Sequence, residues 1–260
     1  MLLRRIAKHF TTQNWAAIAI DFLIVVSGVG IALKAEQWIN EGQQRTDYVV
    51  AERSVRADFF SNYLFAQERL ALTECRKDSL RAIAERLKLE DWAPLPTGQV
   101  NSVRRFVFPA VFSTPTRPWG SRLWDAELSR GTLSGLSVEE RLELGLFFYG
   151  AQTIADLQAQ MLSQGARLKT LALVDQLPKS DVPRYLDAVM QIDNDGAVIE
   201  MIAGQMVTIA HGVMQEYEFS DAERVQMRQS VDQLSNAGQK AYGDCFEPIQ
   251  PRFLRQTPPS

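Results

Sequence analysis

The chain has 260 residues, of which 46% are hydrophobic and 23% are charged, and its formal net charge is −3. These values are ordinary for a globular protein and give no basic surface of the kind that binds nucleic acid. We therefore expect no nucleic-acid partner, and a chain long enough for one domain with a real core or for two small ones.

The one long apolar run lies between Trp15 and Trp38. A helix rises about 1.5 Å per residue, so the two tryptophans would lie roughly 34 Å apart, close to the roughly 30 Å of a bilayer's hydrocarbon core. Tryptophan favours both membrane interfaces. The sequence therefore predicts a transmembrane helix over residues 15–38, with the lipid bilayer as its first partner.

Three residues inside this segment suggest how the anchor assembles. Asp21 is the only charge in the apolar part, and such an acid either faces the nearer interface or contacts a partner span. Gly28 and Ala32 have small-x-x-x-small spacing, which permits close helix approach in membranes. We expect a protein partner or a homodimer through the span.

The flanking charges set the predicted orientation. Arg4, Arg5 and Lys8 precede the span without any acid, whereas the charges after Leu33 are mixed. Because basic residues stay cytoplasmic, residues 1–14 are predicted to be a cytoplasmic tail and the rest of the chain to lie outside. A cleaved signal peptide stays open as the alternative, and it delivers the domain to the same compartment.

The segment from residue 36 to about 90 has helical periodicity, and the span is expected either to run straight into this helix or to break near Gly42. Its apolar positions include Val55, Phe59 and Tyr63, and its charged positions, Glu68 and Arg69 among them, are assigned to the solvent face. Residues 91–118 carry five of the prolines and predict a connector packed on the domain.

The rest of the chain predicts further helices. They cover 118–130 with Trp119, Leu123 and Leu128 inward, 137–177 with a capping box at Ser137, about 181–217, and 220–236 with a second capping box. The third of these helices has a possible break at 193–196 and an almost entirely apolar stretch at 197–213 that is expected in the core. The predicted inward stripe of the second of these includes Leu142, Leu146 and Tyr149. The fold class is all-α: one transmembrane helix that continues into an antiparallel bundle over 39–250, with a frayed tail at 251–260.

The chain has two cysteines, Cys75 and Cys245. On the outer side of the membrane an oxidising compartment permits a disulfide between them. Closing a loop of roughly 170 residues would stabilise the fold by about 5 kcal/mol in the chain-entropy model. Two separate buried thiols are the alternative.

No catalytic, phosphate-binding or dinucleotide motif stands out, and we expect no metal and no cofactor. Asp193, Asp195 and Gly196 resemble a calcium loop, but its first and twelfth positions hold the wrong residues, so a turn is the better interpretation. His211 lies among apolar residues and is interpreted as a core histidine rather than a catalytic base.

The span and its flank resemble a family of bacterial single-span inner-membrane proteins that is known as a domain of unknown function. The resemblance rests on the acid-to-glycine pattern of residues 21–33 and on Trp38-Ile-Asn-Glu41, with weaker matches at 124–133 and 140–149. Ile39 and Phe148 depart from the family pattern. The resemblance implies an inner-membrane anchor and a helical periplasmic domain, and it implies no activity.

The leading hypothesis is a non-enzymatic, membrane-anchored helical domain that binds a partner protein or acts as a scaffold. A ligand sensor of the four-helix-bundle type is one alternative. The other is a periplasmic enzyme, whose candidate residues would be Arg104, Arg105, Arg117 and Trp119.

Overall fold

The computed structural model describes residues 15–89, 114–172, 177–216 and 219–251. Within these ranges the chain is helical and contains no strand, which confirms the all-α prediction. The predicted cytoplasmic tail, most of the proline-rich connector and nearly all of the predicted C-terminal tail lie outside the described residues. Six helices are described: α1 Trp15–Ala71, α2 Thr73–Leu89, α3 Arg122–Arg130, α4 Val138–Lys169, α5 Val182–Glu216 and α6 Asp221–Tyr242.

The chain divides into two compact units, one up to Glu52 and one from Arg53 onward. In the first unit α1 leaves residues 22–47 exposed, including apolar side chains such as Phe22, Ile31 and Trp38. This part of α1 is long and apolar enough to cross a membrane. It continues through Gly42 without a break, which agrees with the first of the two alternatives predicted for this point.

Helix α5 also has the length and apolar composition of a span, but a third of its most apolar window is buried in the second unit. The buried positions recur every three or four residues, as in an amphipathic core helix. The expectation that 197–213 is core throughout is therefore wrong, because Met201 is 58% exposed on the opposite face. The buried positions are Ala188, Val189, Ile192, Gly196, Ile199, Ala203, Met206, Ala210, Val213 and Met214.

An aromatic cluster joins α1, α3 and α4. Phe147 and Phe148 are fully buried, and the ring of Phe147 lies 4.2 Å from that of Phe59, centroid to centroid. The Trp124 indole stacks on Phe148 at 5.5 Å. These contacts determine which face of α4 points inward, because the two consecutive phenylalanines and Ile154 are buried on the core side.

The opposite face of α4 differs from its predicted orientation. Leu142, Leu146 and Tyr149 were expected in the core but are 63%, 54% and 74% exposed. The chain carries apolar residues on both sides of this helix, and the bulkier aromatic set, together with Leu144, Ala151 and Met161, occupies the core.

The predicted capping boxes open α4 and α6. The Ser137 hydroxyl accepts from the N–H of Glu140, whose carboxylate accepts from the N–H of Ser137, and Ser220 and Glu223 repeat the arrangement. Helix α6 runs to Tyr242, beyond the predicted end at residue 236.

Helix α3 begins at Arg122 rather than at Pro118 and ends at Gly131, whose φ of 73° suits a residue without Cβ. Trp119 is buried as predicted. Leu123 and Leu128 are exposed instead of inward, because Trp124 takes the core side.

After α6 the chain turns back at Gly243, and residues 243–251, here named the C-terminal strap, cover part of α6. Phe246 is 2% exposed and lies directly over Gly238, where a Cβ would meet the Phe246 ring at 2.2 Å. Gly238 is therefore required by the close approach of this ring.

We predict that Gly238→Ala lowers stability by about 1–3 kcal/mol, because the added methyl group must displace a buried ring. Gly204→Ala is the matched control, since Gly204 also lies inside a helix and nothing stands within 4 Å of its missing Cβ. That control should gain up to about 1 kcal/mol. Thermal unfolding of the full chain in detergent measures both; equal midpoints for the two variants would contradict the assigned position of Phe246.

Candidate functional site

Within the second unit the helical chain is interrupted at Leu72, which lies between the end of α1 at Ala71 and the start of α2 at Thr73. The surrounding sequence, Leu-Ala-Leu-Thr-Glu over residues 70–74, contains no proline or glycine. In an unbroken helix the carbonyl of Ala71 would accept from the N–H of Cys75. Here it accepts from the backbone N–H of Glu247 in the C-terminal strap, at 3.0 Å.

A disulfide holds the strap at this point. Cys75, in the first turn of α2, is bonded to Cys245 with an S–S distance of 2.01 Å and a Cα–Cα distance of 5.0 Å. The predicted cysteine pair is thus bridged in the structure. On the far side of Glu247 the N–H of Ile249 lies 3.4 Å from the Ser235 hydroxyl, and Ile249 and Pro251 are buried.

Two buried arginines flank the break. Arg69 lies one turn before Leu72 and Arg76 one turn after it, with exposed fractions of 6% and 7%. The assignment of Glu68 and Arg69 to the solvent face is therefore wrong. The sequence did contain the signal, since Arg69, Leu72 and Arg76 continue the three- and four-residue spacing of the buried positions Leu80, Ile83 and Leu87.

Arg69 is held by neutral acceptors. Its Nη2 donates to the carbonyl of Pro115 and to Oε1 of Gln158, both at 2.5 Å. Its Nε is buried and has no hydrogen-bond partner among the described residues. Burial lowers the pKa of Arg69 to about 10, and the nearby Glu68 carboxylate opposes that shift. The guanidinium therefore remains charged at neutral pH.

Arg76 is held by carboxylates of α5. Its Nε donates to Glu200 at 2.9 Å, and its Nη1 contacts Asp193. Burial lowers the pKa of Arg76, but the hydrogen bonds and charges of Glu200 and Asp193 outweigh this, so the net shift is upward. The two arginines thus attach the broken helix to different partners.

The same contacts explain the Asp-Asn-Asp-Gly stretch of α5. The helix passes through residues 193–196 without the break that turn residues suggested. Asp193 binds Arg76, and a Cβ at Gly196 would meet Nε of Arg76 at 2.6 Å. Gly196 provides the space through which the guanidinium crosses α5.

Two of the four residues proposed for an enzyme site lie in this cluster. Arg117 makes a bidentate ion pair with Glu68 at 2.6 and 2.5 Å, and these hydrogen bonds raise the pKa of Arg117. The indole N–H of Trp119 donates to Gln158 at 3.2 Å. Both side chains serve packing within the cluster. Arg104 and Arg105 lie outside the described residues.

A small cavity lies beside the break. Its volume is about 20 Å³, enough for one water-sized molecule. It is lined by Arg69, Leu72, Arg76, Thr114, Met161, Gly196, Ile199 and Glu200.

The other candidate residues form no chemical site in the part of the chain that the structure describes. No group of three potential metal ligands occurs there. His211 Nε2 lies 3.3 Å from the hydroxyl of Tyr63, which accepts from Gln67. Burial raises the pKa of Tyr63 to about 12, which the hydrogen bond from Gln67 only partly offsets. His211 therefore meets a neutral phenol rather than a nucleophile.

The anchor residues proposed from the sequence lie on the first part of α1. Gly28 has no atom within 4 Å of its missing Cβ, and Ala32 and Trp38 are exposed. The side chains of Trp15 and Asp21 lie outside the described part of the structure. A face of the span is thus open for a neighbour.

A second candidate surface lies on α4. Val138, Leu142, Leu146 and Tyr149, here named the α4 stripe, follow one another at intervals of four, four and three residues and are each more than half exposed. This spacing places them on one face of the helix, opposite the aromatic core.

Comparison of the chain with protein-family models, curated proteins and solved structures finds no match. The resemblance to the single-span inner-membrane family therefore stays a prediction.

We predict that Arg117→Ala destabilises the fold by about 3 kcal/mol, because it leaves the Glu68 carboxylate, 3% exposed, without its ion-pair partner. The matched control is Arg130→Ala, which removes an ion pair from a side chain that is 67% exposed and should cost at most about 1 kcal/mol. Chemical unfolding of the full chain in detergent compares the two. Similar losses would show that the buried pair contributes no more than a surface pair.

Proposed function

We propose that the protein is a single-pass membrane protein with an antiparallel helical bundle in the periplasm, and that this bundle acts as a protein-interaction module. The observation that carries the interaction function is the α4 stripe. A soluble domain rarely leaves a contiguous row of four large apolar side chains in water unless a partner covers it.

The apolar exposed part of α1 supports the anchor. The basic residues before it and the mixed charges after it support a cytoplasmic N-terminus. An outer location also accounts for a disulfide, because oxidising compartments are where such bridges persist.

The partner we propose for the α4 stripe is a second copy of the chain. From their exposed fractions, the four side chains present roughly 450 Å² of apolar surface, over half of the roughly 800 Å² that each partner contributes to a stable interface. This share of the interface area, just over half, is close to the apolar fraction of the area in ordinary protein–protein interfaces. An apolar helix face is complementary to its own copy without any further feature.

The span supports the same partner. Gly28 and Ala32 offer a small-residue face, and close approach of two spans would hold two outer domains at high effective concentration. A contact through the α4 stripe that is weak on its own would then be enough to join the two outer domains.

The cavity beside Leu72 gives no support to the enzyme or the sensor hypothesis. Its volume of about 20 Å³ suits one water-sized molecule. Of its two arginines, Arg76 binds Glu200 within the lining, and Nη2 of Arg69 binds Gln158 outside it.

We predict that the double substitution Leu142→Glu and Leu146→Glu abolishes self-association, because two carboxylates in each copy would have to be desolvated at the contact. Met190→Glu with Val225→Glu is the matched control, since both residues are exposed apolar positions outside the stripe. Native mass spectrometry of the full chain released from mild detergent reports the oligomer.

The control should remain dimeric while the stripe variant is monomeric. A wild-type chain that is monomeric at all concentrations would overturn the second copy as partner. Capture of a different protein that depends on Leu142 and Leu146 would then assign the stripe to that protein.

The topology has its own prediction. A phosphatase that is active only in the periplasm, fused after Ser260 and expressed in a bacterial host, should be active, whereas a β-galactosidase fused at the same residue should not. Replacing Arg4, Arg5 and Lys8 by Glu should reduce the phosphatase signal, because the charge bias that orients the span is lost. The opposite pair of activities would place the domain in the cytoplasm.

A further inference from the structure

We propose that the Cys75–Cys245 disulfide is a redox-sensitive latch on the helix break at Leu72. While the bridge is closed, the C-terminal strap keeps α1 and α2 separate. When the bridge is reduced, the strap leaves and the two helices join into one. This inference concerns the second unit alone and does not rest on the proposed interaction function.

The break is not encoded in its own residues. Helix interruptions arise from proline, from glycine or serine pairs, or from a group that inserts into the hydrogen-bond ladder. Residues 69–76, Arg-Leu-Ala-Leu-Thr-Glu-Cys-Arg, lack the first two causes and are mostly good helix formers. The inserted group is the N–H of Glu247, which occupies the Ala71 carbonyl at 3.0 Å.

The strap depends on the bridge for its position. Besides the disulfide, the contacts of the strap include burial of Phe246 over Gly238, burial of Ile249 and Pro251, and the contact between Ile249 and Ser235. Each such contact contributes about 1–3 kcal/mol. The bridge, two residues before Glu247, keeps that N–H against Ala71.

The redox step is a thiol–disulfide exchange with a dithiol. One thiolate of the dithiol attacks Sγ of Cys245, which is partly exposed, while Cys75 is 7% exposed. The S–S bond breaks, and Cys75 leaves as a thiolate that takes up a proton. The second thiol of the dithiol then attacks the mixed disulfide and releases Cys245 as a thiol. Two electrons and two protons pass to the cysteines, and the dithiol becomes a cyclic disulfide.

Arg69 and Arg76 connect the region of the break to other helices of the bundle. Arg69 reaches Gln158 of α4, and Arg76 reaches Asp193 and Glu200 of α5. In one continuous helix the seven residues from Arg69 to Arg76 span nearly two full turns, which places both on the same face. Both arginines line the cavity beside Leu72, so a rearrangement of the backbone at Leu72 acts on side chains that contact α4 and α5.

The test is hydrogen exchange with mass spectrometry on the full chain in lipid nanodiscs, oxidised and in dithiothreitol. On reduction we expect exchange to become at least about tenfold faster in peptides covering 243–251 and at least about tenfold slower in peptides covering 72–76. The slowing is the specific readout, because a joined helix gives the N–H of Cys75 an intrahelical acceptor.

Two variants separate the bridge from the hydrogen bond. Cys75→Ser with Cys245→Ser should show the reduced pattern with and without dithiothreitol. Glu247→Pro keeps both cysteines but removes the donor to Ala71, so residues 72–76 should slow while the disulfide is intact. Phe246, the preceding residue, has the extended backbone that a following proline requires.

Unchanged exchange at 72–76 after complete reduction would overturn the latch and assign the break to the buried arginines. Faster exchange in both segments would also overturn it, since it would show local unfolding rather than joining.

Discussion

One backbone hydrogen bond, from Glu247 to Ala71, decides the shape of the second unit around Leu72. The residues around Leu72 include neither proline nor glycine, and the helix stops there because the carbonyl of Ala71 is already occupied by a segment roughly 170 residues away in sequence. The disulfide two residues before Glu247 keeps the donor and the acceptor of this hydrogen bond close together. It removes most of the chain entropy that closing such a long loop would otherwise cost. The break follows from the tertiary structure, and the local sequence only permits it.

Buried arginines flank this break. Arg69 and Arg76 line the same cavity, and one reaches Gln158 while the other reaches the α5 carboxylates. Arg117 and Glu68 complete a set of three guanidiniums and three carboxylates whose charges cancel. Burying such groups is tolerable only when each finds a partner, because an isolated ion inside a protein costs several kcal/mol. Gly196 contributes to this arrangement, because a residue with a Cβ there would collide with the Arg76 guanidinium.

The residues that sequence reasoning placed correctly are those whose cause is local. The capping boxes at Ser137 and Ser220, the helix end at Gly131 and the long apolar helix at the start of α1 each depend on a few neighbouring residues. The cysteine pair was predictable because the chain has only two. The errors share one physical origin: the break at Leu72, the unbroken helix through 193–196 and the burial of Glu68 and Arg69 are all decided by groups distant in sequence. Turn propensity at Asp193 to Gly196 lost to the ion pair with Arg76.

Helix α4 shows why periodicity alone could not find the candidate interaction surface. The helix carries apolar residues on two opposite faces, and a count of spacings accepts either face as the core. Volume decides between them: Phe147 and Phe148 fill the space beside Phe59 and Trp124, so Leu142, Leu146 and Tyr149 are left on the other side. Apolar side chains that the fold does not bury lower the solubility of the protein. Four of them on one face of a helix are favourable only when another surface covers that face. The residues that were misassigned to the core are, for that reason, the ones that carry the proposed function.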